Sequence, residues 1–365
     1  MAPGHQVPRS RPRRPPTRVR LEQARFLLVG LGGLGCPAAM ALAEAGAGHL
    51  LLVDDDRIEV HNLHRQVLYR DADCGRHKLD AARDALLARG FPAERIELHR
   101  GRLLPASALA LARRVDVIVE GSDDFATKFL AADAGYLAGI PVVIGAAMQW
   151  MATAQAIAPH GRPCYRCLFE GPPEVAPDLA VAGVLGPAVG VAGALIADLA
   201  LRALGGDDPS GGIRVFDGRR DRLRFVAVPP RADCPLCGQD PTIREVDADR
   251  YRAPRRALPG GAARDGGRDG SSPDRHVRHR RLVEVGDDGQ ARIAALDVLV
   301  PDGEGAEVER EYLVRAGVRG ARIAPLPAPP FPHAAHFCFA APRAVAAGAW
   351  RALARIRAVL GLGDG

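Results

Sequence analysis

Residues 25 to 35 read RFLLVGLGGLG, a short apolar run ending in G-x-G-x-x-G at Gly30, Gly32 and Gly35, and a small-residue apolar segment follows. No other feature restricts the fold as tightly. Glycines at this spacing, between a buried strand and a helix, let backbone N–H groups and a helix N-terminus approach phosphate oxygens without an intervening side chain. Asp54 closes the next apolar run, HLLLVDDD, about 20 residues further on, where a carboxylate can accept from ribose hydroxyls. Alone, these residues point to an adenine nucleotide and suit an NAD-dependent oxidoreductase as well as an ATP enzyme.

The alternation continues. GRHKLDAARDALLAR (75 to 89) places Leu79, Ala82, Leu86 and Leu87 at helical spacing, and FATKFLAADAGYLAG (125 to 139) is a second predicted helix. RIELH, VDVIVEG and PVVIGAA read as strands. The pattern predicts an α/β fold: a Rossmann-like, mostly parallel sheet with helices on both faces. ATAQAIA, IRVFDG and LRFVAVP, after residue 150, predict an antiparallel extension. Residues 252 to 275 are dominated by Arg, Gly, Pro, Asp and Ser, a composition poorly suited to a core. The expected organisation is therefore a disordered Arg/Pro-rich tail (1–20), a nucleotide-binding domain (21–250), a linker (251–275) and a small C-terminal α/β appendage (276–365).

The formal charge of +6 invites a nucleic-acid reading. Arg9, Arg11, Arg13, Arg14, Arg18 and Arg20, in a start without acids, account for all of it, and the rest of the chain sums to zero. No broad basic face is expected, hence no nucleic-acid partner. The prolines of that start break any amphipathic helix, and no apolar run there suits a secretory signal, so the expected location is cytoplasmic. Residues 179 to 197, LAVAGVLGPAVGVAGALIA, are long enough for a membrane span. They are rich in Ala and Gly, interrupted by Pro187, and lead into Asp198 and Arg202; a closely packed buried helix is expected rather than a membrane segment.

Beyond the glycine turn, EVHNLHRQVL (59 to 68) offers Asn62, Arg65 and Gln66, and Lys78 opens the next helix. Only two of the 49 basic residues, Lys78 and Lys128, are lysines, so Lys78 stands out. A dinucleotide gains little from a further Arg and Lys, whereas the outer phosphates of a triphosphate need such partners. The stretch is read as a triphosphate clamp, with His61 and His64 as loop histidines. In EGSDDF (120 to 125), Asp123 and Asp124 follow a strand at the sheet edge where ligands bind. They can hold Mg²⁺ or cap the next helix. Gly30, Gly32, Gly33, Gly35, Asp54, Asp56, Asn62, Gln66 and Asp124 are the candidate nucleotide-binding residues.

Cys164 and Cys167 in CYRC and Cys234 and Cys237 in CPLCG form two C-x₂-C pairs. Four thiolates make a closed tetrahedral site, the structural form of Zn²⁺. Cys36 is read as buried filling and Cys74 as an ordinary loop thiol.

The segments LLVGLGGLGCPAAMALAEAGAGHLLLVDDD, HNLHRQVL, GRHKLDAARDAL, GSDDFATK, IPVVIGAA, PCYRCLF, AGVLGPAVGVAGALIADLALRAL and CPLCG occur in this order. Together they resemble the ThiF/MoeB/HesA group of ubiquitin-activating-enzyme-like adenylyltransferases, over residues 21 to 250. The resemblance implies a partner, a ubiquitin-like or sulfur-carrier protein ending in Gly-Gly, whose carboxylate attacks the α-phosphate of Mg·ATP. It further implies a homodimer, with a sulfur-donor protein as another partner. By similarity Asp54 binds ribose, Arg65 and Lys78 act on the phosphates, Asp123 binds magnesium, and Asn62 and Gln66 complete the clamp. Asp124 stands where the family usually has Asn, and DLAVAGV has no cysteine before AGV, so a covalent carrier adduct there is not expected. An oxidoreductase and an inactive nucleotide-binding scaffold are the alternatives.

In the C-terminal segment, GARIAPL and CFAAPRA resemble the landmarks of a degenerate rhodanese domain. That resemblance makes Cys338 a candidate persulfide residue, with Arg343 five positions on.

Overall fold

The computed structural model describes residues 18–173, 175–176, 182–206, 208–251, 255–256 and 274–363. Short apolar runs form the strands β1 (Arg25–Val29), β2 (His49–Asp54), β3 (Ile96–Arg100), β4 (Val117–Glu120), β5 (Val142–Met148) and β6 (Met151–Ile157). With β8 (Gly212–Asp217) and β9 (Arg222–Ala227) they build an eight-stranded sheet in the order β3-β2-β1-β4-β5-β6-β8-β9. The first five pair in parallel and the last three are antiparallel, as expected. A two-residue strand, β7 (Val175–Ala176), pairs separately with β10 (Arg255–Arg256).

Strand alternation splits the core into two layers. Leu27, Val29, Leu51, Val53 and Ile118 pack in one cluster with residues of the helices Pro105–Ala112 and Phe125–Ala138. Phe26, Leu28, Leu50, Leu52 and Val119 pack in the other with Gly35–Glu44, Lys78–Ala88 and the long helix Gly186–Leu204. In order, these helices are α2 (Gly35–Glu44), α3 (Lys78–Ala88), α4 (Pro105–Ala112), α5 (Phe125–Ala138) and α7 (Gly186–Leu204), with α1 (Arg18–Gln23) before β1 and α6 (Tyr165–Leu168) after β6. Helix α7 is long and apolar enough to cross a membrane, but most of it is buried inside the protein. Its small residues permit close approach: a Cβ at Gly193 would lie 2.3 Å from Pro37 of α2.

The expected tail begins to fold earlier than the sequence indicates, since α1 starts at Arg18; residues 1 to 17 and most of 252 to 273 lie outside the described residues. The C-terminal segment contains α8 (Val277–Arg280), α9 (Gly286–Ala294), α10 (Ala306–Arg315), α11 (Ala340–Val359) and a parallel pair of strands, β11 (Asp297–Pro301) and β12 (Gly320–Ala324). Its Tyr312, Leu313, Val345, Leu353 and Ile356 join the same buried cluster as α2 and α7. At the start of α11 the backbone N–H groups of Cys338 and Phe339 donate to Asp198 Oδ1 of α7, at 2.8 and 3.0 Å. A buried carboxylate from another helix thus fills the capping role that orphan N–H groups require.

Candidate functional site

The chain leaves β1 towards β2 and β3 on one side, and β4 leads to β5 on the other, so strand order reverses between β1 and β4. A crevice opens at such a switch point beyond the carboxyl ends of the strands. The glycines there have different duties. Gly30 takes φ +85°, and a Cβ on it would lie 2.8 Å from the Ser122 backbone nitrogen; a Cβ on Gly35 would lie 1.9 Å from the Gly30 carbonyl oxygen. Packing alone requires both. A Cβ on Gly32 would meet nothing nearer than Gln66 Nε2, at 3.8 Å, so the fold does not require glycine there. What Gly32 provides is open backbone facing Gln66.

Asp54 pins this turn. Its Oδ2 accepts from Leu31 N–H at 2.7 Å and its Oδ1 from Asp56 N–H at 2.8 Å. Burial lifts its carboxyl above the ordinary range, against the pull of Lys78. Lys78, the first residue of α3, donates to Asp56 Oδ2 at 2.5 Å and lies 3.9 Å from Asp54 Oδ1. Burial pulls its ammonium down, yet the two aspartates more than offset this and hold it above the usual value. Lys78 and Asp56 therefore form one buried-to-surface ion pair rather than two independent ligands.

Arg65 is held by its own loop. It donates to His61 O at 3.1 Å, to His64 Nε2 at 2.9 Å and to Asn62 Oδ1 at 3.1 Å. Burial, and then the Arg278 guanidinium, push it down to about 10, with Asp123 opposing; it stays cationic at neutral pH. Asn62 thus orients Arg65. Gln66 is buried, and its Oε1 has no hydrogen-bond partner among the described residues, an orphaned acceptor beside the open Gly32. His61 and His64, read from sequence as loop histidines, are both buried, and the His64 ring contacts His279 from far along the chain.

After β4, Asp124 caps α5: its Oδ2 accepts from Thr127 N at 3.0 Å and Thr127 Oγ1 at 2.6 Å, and Arg102 pairs with it at 2.9 Å. Asp123 is exposed and has no hydrogen-bond or ion-pair partner among the described residues. Of the two aspartates, Asp123 is the one whose carboxylate is available to a cation. Sequence reasoning gave Lys128 no role. It is buried and donates to Glu120 Oε2 at 2.6 Å, Ser122 O at 2.7 Å and Gly145 O at 2.6 Å, tying the loop after β4 to β5. The rarity of lysine in this chain was the one available signal.

All four cysteines of the two C-x₂-C pairs are buried, with ligand atoms within 4.8 Å of one another. Cys164 and Cys234 sulfurs lie 3.5 Å apart and Cys167 and Cys237 sulfurs 3.4 Å. That is far beyond a disulfide bond and close to the roughly 3.8 Å expected between thiolates on one tetrahedral zinc. Burial opposes ionisation of Cys234, but backbone N–H groups of Cys237 and Leu236 hold its thiol below the usual value. The centre is anchored on α5, where Arg166 donates to Asp133 at 2.9 and 2.8 Å and Tyr251 donates to the same carboxylate at 2.8 Å.

Cys338 is exposed. Two N–H groups that a persulfide cradle would use, those of Cys338 and Phe339, are already engaged by Asp198. These two contacts tie the start of α11 to α7.

The ThiF family pattern matches residues 11–236. The chain is similar to a sulfur carrier protein adenylyltransferase of Thermus thermophilus, 40% identical over 236 residues, covering 62% of this chain and 87% of the relative. It is also similar to the adenylyltransferase and sulfurtransferase MOCS3 of Sus scrofa, 41% identical over 233 residues, covering 62% of this chain and 51% of the relative. The chain thus spans about half the length of several curated relatives it matches. Among solved structures, E. coli MccB with MccA-N7isoASN shares the fold, with a TM-score of 0.53 and 22% identity over 61% of this chain and 69% of that one.

Proposed function

This chain belongs to the ThiF family, and on that premise we propose that it uses Mg·ATP to adenylylate the C-terminal Gly-Gly carboxylate of a ubiquitin-like or sulfur-carrier protein in the cytoplasm. A carboxylate oxygen attacks the α-phosphorus, the bond from that phosphorus to the bridging oxygen of the β-phosphate breaks, and pyrophosphate leaves. The carrier carboxylate is ionised at neutral pH, so no general base is needed. Catalysis then consists of positioning and charge neutralisation.

One observation carries this reading: the open backbone of Gly32 faces the Nε2 amide of Gln66, a donor, and the half-buried cation Arg65 sits one residue away. The arrangement provides a phosphate approach and donors beyond it. Arg65 bears on the outer phosphates, Lys78 exchanges part of its pairing with Asp56 for a phosphate oxygen, and Asp54 accepts from ribose. Asp123 would hold magnesium, which would supply further charge neutralisation at the phosphates. The four cysteines would hold zinc in a structural role, since four thiolates leave no open position.

The test is ATP–pyrophosphate exchange with a carrier ending in Gly-Gly. Exchange is expected with ATP and absent with NAD alone, and Arg65→Ala lowers it by about 10²-fold. An Arg65→Ala protein as active as wild type would remove the clamp from the mechanism.

A further inference from the structure

Arg65 and Gln66 lie on a stretch of irregular backbone whose carbonyls need donors, because a buried unpaired carbonyl is costly. The donors come from the far end of the chain. Arg315, at the end of α10 and buried, donates Nη1 to Leu63 O at 2.7 Å and Gln66 O at 3.3 Å. Its Nη2 donates to Val67 O at 3.3 Å and Tyr69 O at 2.6 Å. Tyr69 in turn donates its hydroxyl to Leu31 O of the glycine turn at 2.7 Å. One guanidinium therefore fastens both flanks of the Arg65–Gln66 step.

A second path reaches Arg65 itself. Arginine only donates, so at the 2.9 Å contact His64 Nε2 must accept from Arg65. The His64 proton then sits on Nδ1 and is donated to His279 Nε2, at 3.1 Å. His279 keeps its own proton on Nδ1, facing Gln290 Oε1 at 3.3 Å, and Gln290 Nε2 donates to Ala316 O at 2.7 Å. Each link has a defined donor, and the relay ends next to Arg315. His276 Nε2 lies 3.1 Å from Arg315 O. The C-terminal residues that support the loop, from His276 to Ala316, fall beyond the family-matched region, which ends at 236.

We propose that the C-terminal segment is an internal brace: Arg315 and the His64–His279–Gln290 relay hold residues 63 to 69 in the shape that presents Arg65 and Gln66 to the outer phosphates of ATP. Arg315 and His279 are positioning residues. This rests on the adenylyltransferase reading above and adds a cis-acting support to it.

The test uses the full chain as wild type, Arg315→Met and His279→Leu, with dissociation constants for Mg·ATP and for AMP measured by titration calorimetry. Arg315→Met is expected to weaken ATP about tenfold, by analogy with the loss of an outer partner that orients a metal ligand, and to leave AMP binding unchanged. His279→Leu shows the same selective direction with a smaller loss. A purely structural role would lower both affinities together, and an unchanged ATP-to-AMP ratio in either folded variant overturns the brace. Should Arg315→Met fail to fold, His279→Leu decides. Wild-type protein without any preference for ATP over AMP would sink the clamp and the brace together, whereas a wild-type preference retained by both variants would sink the brace alone.

Discussion

A methyl group on Gly35 would stand 1.9 Å from the Gly30 carbonyl oxygen, while one on Gly32 would meet only the end of Gln66 at 3.8 Å. The same motif therefore contains glycines kept for packing and one kept open. Gly35→Ala is expected to lower unfolding stability by about 3 kcal/mol or more, since the obstruction is backbone and cannot swing aside. Gly32→Ala should leave the urea midpoint unchanged yet weaken ATP binding, because the added carbon occupies the phosphate approach. Equal midpoint losses in the two variants would contradict this division. The spacing in the sequence identified all three motif glycines, but each one's duty depends on what packs opposite: Ser122 against Gly30, Gln66 beside Gly32. Likewise EGSDDF showed two adjacent carboxylates, and only the Thr127 contacts assigned the cap to Asp124.

At the level of elements, the strands and helices of the first 150 residues follow from apolar periodicity, and the antiparallel β6, β8 and β9 from short alternating runs. The Ala- and Gly-rich run at 179–197 carries a helix from Gly186, buried for the reason its composition suggested: small residues let neighbours close in. Periodicity carried no sign that α7 also organises α11. Asp198 does so, and burial raises its carboxyl to about 6 despite the N–H groups of Phe339 and Cys338. The folded protein thus binds this proton more tightly than the unfolded chain, whose value is near 3.8. Asp198 therefore contributes stability that is full below that value and is lost as pH rises through about 6. Relative to Asp198→Asn, wild type is expected to lose about 1–3 kcal/mol between pH 4 and pH 7. Urea denaturation of both proteins across that range measures it, and parallel stability curves would refute it.

Across the whole molecule, the four-cysteine centre joins two chain segments separated by 70 positions and fastens them through Arg166 and Asp133 to α5, whose start is capped by Asp124. One zinc per chain is expected by metal analysis. Its removal with a chelator should cost about 2–5 kcal/mol, comparable to losing a native cross-link over a loop of this size, and slow pyrophosphate exchange by loosening α5. Protein that retains its melting temperature after complete zinc removal would exclude a structural role.

The amino-acid order alone determined the layered α/β sheet, the glycine turn, the Asn62–Arg65–Gln66 cluster that follows it and the paired cysteines, because each is written in short-range periodicity or fixed spacing. The contacts of His64 with His279 and of Arg315 with Leu63 span 215 and 252 positions. Only the tertiary structure decided these, since which carbonyl a distant guanidinium reaches depends on how helices stack around a shared core, and no local pattern of residues encodes that.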